Sequence, residues 1–178
     1  LKIRKHWRPS RKTLALLLAL GLGAFGLQLV GLWLPPFADP LVNQTLTVLA
    51  LALLVLLAVD YMGARRQPEI EVERNLASGL ALNQWAEAKL TLHHRFQYPV
   101  TVELFDGING QVVSEGAHMW VPLRPGQKTS RTYRLRALQR GPLRLETCHL
   151  RVPTPLGLGQ VSYELPVPSD TKVYPNFA

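Results

Sequence analysis

Residues 13–34 contain 22 positions without a single charged side chain, and no feature constrains this chain more. At ~1.5 Å per residue, a helix of that length spans about 33 Å and matches a ~30 Å hydrocarbon core. Residues 41–62 hold a second stretch, nearly continuous Leu, Val and Ala up to Val59, with Asn43, Gln44 and Thr45 at its start where an interface can hydrate them. Between the two, residues 35–40 (Pro-Pro-Phe-Ala-Asp-Pro) are too rich in proline to continue either helix, since proline lacks an N–H and clashes with the preceding turn. The pattern predicts a two-helix transmembrane hairpin. A cleaved signal peptide fits the first stretch poorly: the apolar run exceeds ~15 residues, no A-x-A site follows, and a second apolar stretch comes directly after.

Orientation follows from the short flanks, because Lys and Arg stay on the cytoplasmic side. Lys2, Arg4, Lys5, Arg8, Arg11 and Lys12 precede the first span within a basic segment, residues 1–12. Arg65 and Arg66 follow the second span, and the connecting loop has no Lys or Arg. Both ends are expected in the cytoplasm, which for a bacterial chain means a multi-pass protein of the inner membrane. The basic flank would also attract anionic inner-membrane lipid, although its topogenic role is enough to explain it. Ala15, Ala19, Gly23 and Gly26 form a small-residue stripe suited to close helix packing, inside the hairpin or, alternatively, in a homo-oligomer. Trp33 and Tyr61 read as interface anchors, and Asp60 as an acid near enough to the second span's inner end to reach water.

After Pro68 the hydrophobic period changes to two. Ile70 and Val72 alternate with Glu69, Glu71 and Glu73; Ala86, Ala88, Leu90 and Leu92 alternate with polar residues; so do Val100, Val102 and Leu104. Tyr133, Leu135 and Ala137 flank Arg134 and Arg136, and Val161, Tyr163 and Leu165 alternate similarly. With weaker runs at 117–121, 143–152 and 172–174 this makes about eight short strands, and no helix of useful length follows Arg66. Residues 67–178 are therefore expected to form a cytoplasmic all-β antiparallel sandwich of immunoglobulin-like type. Within 143–152, Leu143 and Leu145 share one parity but Leu150 and Val152 the other. An extra residue must be absorbed as a bulge or break at Thr147, Cys148 and His149.

Little chemistry is evident. Cys148 beside His149 invites a thiol dyad, yet successive strand residues face opposite sides. The same alternation argues against His93-His94 as a metal pair, and His118 has no evident second ligand. One cysteine excludes a disulfide framework or a Cys-based zinc site. No phosphate loop precedes a helix and no Ser, His and Asp group comes together, so no cofactor and no catalysis are expected of this stretch. Arg131, Arg134, Arg136, Arg140 and Arg144 gather in the sequence. They read as a solvated face, or as a docking surface for an acidic partner through Arg134, Arg136 and Arg140, or as a contact for nucleic acid or lipid headgroups. A nucleic-acid domain is disfavoured because the excess charge is concentrated in residues 1–66, while 67–178 carry twelve Lys and Arg against ten acids. Trp85, Trp120 and Tyr133 read as core or rim aromatics.

Several short motifs occur in a defined order behind the two apolar spans: Phe105-Asp106-Gly107, Gln139-Arg140-Gly141, Thr154-Pro155-Leu156-Gly157-Leu158 and Val173-Tyr174-Pro175. Together they resemble the N-terminal half of the bacterial "domain of unknown function 58" family, whose corresponding stretches commonly read Arg-Arg-Gly, Asp-Pro-Phe-Gly-Leu and Val-Tyr-Pro. Gln139, Thr154 and Leu156 depart from that pattern. The resemblance implies a membrane-anchored protein whose β-domain leads, beyond Pro175, into a von Willebrand factor A-like domain that would hold any Mg²⁺. It also implies a partnership with a MoxR-type AAA+ ATPase in assembly or envelope maturation. Since the first residue is Leu1, the chain is expected to be part of a longer protein. Three functions follow as expectations: a membrane-tethered, non-catalytic adaptor, a catalytic subunit with its active site farther along, or a β-module pairing strand edges with a client.

Overall fold

A computed structural model describes residues 4–31 and 39–175, which fall into two units. Trp33, Leu34 and the first part of the expected connecting loop lie outside the described residues.

The helical unit comprises Trp7–Arg66 together with Thr154–Gln160. Helix α1 (Arg11–Gly31) begins after Ser10, whose hydroxyl oxygen accepts the Thr13 amide at 3.2 Å and so caps the first turn. Arg11 and Lys12 therefore lie inside the helix rather than in a preceding basic segment. Helix α2 (Asp39–Arg65) likewise starts earlier than expected, with Asp39 and Pro40 in its first turn instead of the loop. Proline is tolerated there because the first-turn amides have no intrahelical acceptor to lose. Asn43–Arg65 is long and apolar enough to cross a membrane. Apolar side chains on all sides of both helices are exposed, among them Leu14, Leu18 and Leu22 on α1 and Leu51, Leu54 and Val55 on α2. The small-residue stripe is not a hairpin seam: Ala15, Ala19 and Gly23 are exposed, and a Cβ added at Gly23 or Gly26 would meet no atom within 4 Å.

The β unit consists of two sheets. One has the order β1 (Arg4–Pro9), β10 (Gly159–Tyr174), β9 (Gly141–Pro153), β5 (Val100–Asp106), β7 (His118–Leu123), with the short β3 (Gly79–Ala81) running parallel to β10. The other has the order β2 (Ile70–Leu76), β4 (Trp85–His94), β8 (Thr129–Ala137), β6 (Val112–Glu115), all antiparallel. With β2 and β3 as the split first strand, the order is immunoglobulin-like. The departure is β6, an excursion inside the β5–β7 hairpin. Inward residues Leu90, Leu92, Val102, Leu104, Val121, Leu135, Leu150 and Val152 are fully buried, and Arg74 and Tyr133 of one sheet bond to groups on the other. The parallel β3 and short β6 were not expected. The two runs expected at 161–165 and 172–174 are one strand, continuing through Pro166 and Pro168. Residues 4–9, expected only as a topogenic segment, form a strand because β10 offers them a free edge.

Strand β9 is unbroken, so the strand-break form of the expectation does not hold. Its burial does change phase: Leu143 and Leu145 face inward, then Cys148, Leu150 and Val152, with two residues, Glu146 and Thr147, where a regular strand would have one.

Candidate functional site

Three polar arrangements stand out, and the first is buried in the β unit. Arg74 has inward parity with Ile70 and Val72, and Asp106 with Val102 and Leu104, so two opposite charges point into an apolar interior. Both side chains are fully buried and paired through Arg74 Nη2 and Asp106 Oδ1. Arg74 Nε also donates to Asp106 Oδ2 at 3.0 Å. Its remaining donors reach the carbonyls of Leu145 (2.9 Å), Val167 (2.6 Å) and Thr147 (3.1 Å), so the guanidinium is fully satisfied. Tyr133 donates its hydroxyl to Asp106 Oδ2, and its pKa is raised by burial and by that carboxylate. Cys148 packs beside the cluster and donates to the Phe105 carbonyl at 3.7 Å. Burial, reinforced by the Asp106 charge, pushes its thiol up to about 12. A thiol held neutral is the opposite of an activated nucleophile, and His149 faces outward beside Phe105, so the two do not form a dyad.

The second arrangement belongs to the helical unit. Asp60 does not extend to water as expected; it is buried. Its Oδ1 accepts the Leu156 amide at 2.8 Å and its Oδ2 the Thr154 hydroxyl at 2.5 Å. The loop turns because the Gly157 amide bonds the Thr154 carbonyl (2.9 Å) and the Gly159 amide bonds the Thr154 hydroxyl oxygen (2.8 Å), with Gly157 at φ +72°. Across the same loop, the Leu158 carbonyl accepts from the Thr13 hydroxyl (2.5 Å) and the Ser10 amide (2.8 Å). Threonine at 154 thus has a specific consequence. An aspartate there would confront the Asp60 carboxylate with a second one, whereas the hydroxyl donates to it.

The third arrangement contains the arginines singled out in the sequence, which the fold divides. Arg134 is exposed, with Glu87 on one side and Glu115 on the other in cross-strand register. Arg136 is half-buried, opposite Trp85 and Val113, with its guanidinium 5.1 Å from the Trp85 ring centroid. Arg140 is exposed at the β8–β9 turn, where Gly141 has φ +115°, a conformation that favours glycine. Arg144 belongs to the other sheet and pairs with Asp170 at 2.8 Å. The five do not make one patch, since the run of arginines crosses from one sheet to the other at that turn. On the face formed by β5, β7 and β9, Glu103 joins His118 (2.7 Å) and Arg151 (3.1 Å). Burial alone would raise its pKa, but those two partners hold it below the ordinary carboxylate value. Next to it Trp120 is 65% exposed and Phe105 46%, which makes Trp120 a surface rather than a core aromatic. His93 approaches Glu73 at 3.6 Å and His94 is half-buried on the opposite face. Among the described residues no three His, Cys, Asp or Glu side chains come together as a metal site.

Sequence reasoning missed the Arg74–Asp106–Tyr133 centre, although the signal was present: all three lie on the inward parity of their strands. The Asp60 contact had no such signal, because its partners are 94 and 96 residues away.

No family model matches this chain, and no curated protein does. Among solved structures it is distantly similar to the CARDB domain of the PF1109 protein from Pyrococcus furiosus. The crystal structure of that domain in complex with di-metal ions matches at 16% identity and a TM-score of 0.38, over 61% of this chain and 90% of that one. Its solution NMR structure matches at 16% identity and a TM-score of 0.36, over 60% and 95%.

Proposed function

We propose that the protein is a membrane-anchored, non-catalytic adaptor whose β-domain presents a binding surface in the cytoplasm. The observation that supports this reading is α2, a helix of membrane-crossing length with apolar side chains exposed along it, in the same chain as a β-domain whose buried ionic centre is already satisfied internally. In this reading α1 crosses as well, and both ends lie on the cytoplasmic side of a bacterial inner membrane. The ordered motifs favour membership of the "domain of unknown function 58" family and action with a MoxR-type ATPase. Three of the four motifs have a role in the structure: Asp106 in the buried centre, Gly141 at a turn, Thr154 on Asp60. Reading the β-domain as a module for client strands finds less support, because its edges are protected. Strand β1 ends at Pro9, β7 contains Pro122, β2 carries Glu71 and Glu73, and β6 has only four residues.

Reporter fusions at Asp39 and Ala178 test the anchor: the two should report opposite compartments, and a shared compartment would overturn the two-span topology. Affinity capture of the full-length protein from solubilised membranes tests the partnership, which is rejected if no AAA+ ATPase is recovered.

A further inference from the structure

We propose that the end of the helical unit where α1 begins and α2 finishes is a binding site for the headgroup of an anionic phospholipid, formed by Arg8, Arg11, Lys12, Arg65 and Arg66. The proposal rests on the membrane reading above. Trp7 stands edge-on to Tyr61 with ring centroids 5.7 Å apart, which brings the start of α1 and the last turn of α2 together. Arg65 lies there, with its guanidinium 4.9 Å from the Tyr61 centroid and its Nε 3.1 Å from the phenolic oxygen. All five basic side chains are exposed, and among the described residues none of them forms an ion pair. Asp60, the acid of α2 nearest to Arg65, is not paired with any of them: its two oxygens accept from the Thr154 hydroxyl and the Leu156 amide. Five positive charges at this end thus stand without an ion-pair partner among the described residues, against the single carboxylate of Asp60 in the last turns of α2.

What would cover such a surface is indicated by its neighbours. Directly along the helices from the basic residues lie exposed Leu14, Leu17 and Leu18 on α1 and Val59 and Met62 on α2. A ligand that satisfies both surfaces needs an anionic head and an apolar body in one molecule. Free phosphate lacks the second, and an acidic protein segment would leave the leucines wet. Tyr61, exposed beside them, adds the amphipathic ring typical of a headgroup layer.

The test uses the full chain reconstituted in nanodiscs, measuring by electron spin resonance the association of spin-labelled phosphatidylglycerol relative to spin-labelled phosphatidylcholine. The wild type should prefer the anionic lipid. Each neutralised residue should weaken that preference about fivefold, the equivalent of ~1 kcal/mol. The triple variant Arg11→Gln, Lys12→Gln, Arg65→Gln should lose it, while Arg131→Gln, a β-domain control, should keep it. Equal association of the two lipids with wild type, a preference kept by the triple variant, or displacement of the lipid by inorganic phosphate would each overturn the site. An alkaline carbonate wash separates the two readings: protein that resists extraction but shows no headgroup preference rejects the site and leaves the anchor, whereas protein that washes off rejects the anchor.

Discussion

Replacing Arg74 with methionine would leave the Asp106 carboxylate buried and without its cation. Breaking a buried pair from one side typically costs ~3–5 kcal/mol, so Arg74→Met should lose stability in that range in urea denaturation of the solubilised chain. Tyr133→Phe removes only one donor to the same carboxylate and should cost less, about 1–3 kcal/mol. Exchanging Arg74 and Asp106 together for apolar residues should be milder than Arg74→Met alone, since no charge is then stranded. The neighbouring thiol gives an independent check. With its pKa pushed up to about 12 by burial and by Asp106, Cys148 should be almost unreactive towards a disulfide reagent at pH 8 in the folded protein. Because it is the chain's one cysteine, a full equivalent should appear on unfolding, and rapid labelling of native protein would refute the buried placement.

At the scale of elements, register decides what a surface substitution does. Arg134 stands between Glu87 and Glu115, so Arg134→Glu would set three carboxylates side by side across β4, β8 and β6. Like charges directly opposite each cost ~0.2–1 kcal/mol, and a melting curve should show destabilisation that added salt relieves. A change with no effect on melting would mean that the row is not formed in solution. Glycine 107 is constrained by close approach instead of by a positive φ. A Cβ there would lie 2.6 Å from the Thr147 hydroxyl oxygen and 2.7 Å from its backbone carbonyl oxygen, on the residue that β9 absorbs as an extra. Overpacking of this kind costs about 1–3 kcal/mol, so Gly107→Ala should lower the melting temperature. Gly110→Ala, where the added carbon meets nothing within 4 Å, should not show that clash.

For the molecule as a whole, the β9–β10 connection matters because it and the first two residues of β10, together Thr154–Gln160, belong to the helical unit although β9 and the rest of β10 belong to the β unit. Asp60 is one of the residues that hold it there, through Thr154 and Leu156. Asp60→Ala would strand the Leu156 amide, at ~1–3 kcal/mol for an unsatisfied buried donor, and leave the Thr154 hydroxyl with the Gly159 carbonyl, 2.8 Å away, as its acceptor. Limited proteolysis of the variant should cut within 154–158 faster than in wild type, while cleavage elsewhere keeps its rate. Unchanged protection of the loop would show that Asp60 does not hold it. The same loop bonds Ser10 and Thr13 through Leu158, so its integrity also bears on the start of α1.

Local pattern determined much of this protein. A charge-free run can only be helical where backbone groups have no water, and a two-residue period can only be a strand with one wet face, so α2, the two-sheet β-domain and the phase change in β9 were legible from single residues. Pattern even placed Arg74 and Asp106 on inward faces, but it cannot say that residues on different sheets meet. Tertiary packing alone decided that those two charges neutralise each other, that Asp60 is covered by a loop from the β9–β10 connection, and that the arginines from 131 to 144 divide between two sheets. It also turned residues 4–9 into a strand, because an unpaired edge of β10 was available to them. The physical reason is common to all four: a hydrogen bond or an ion pair depends on distance in space, and hydrophobic period fixes only the direction in which a side chain leaves its own strand or helix.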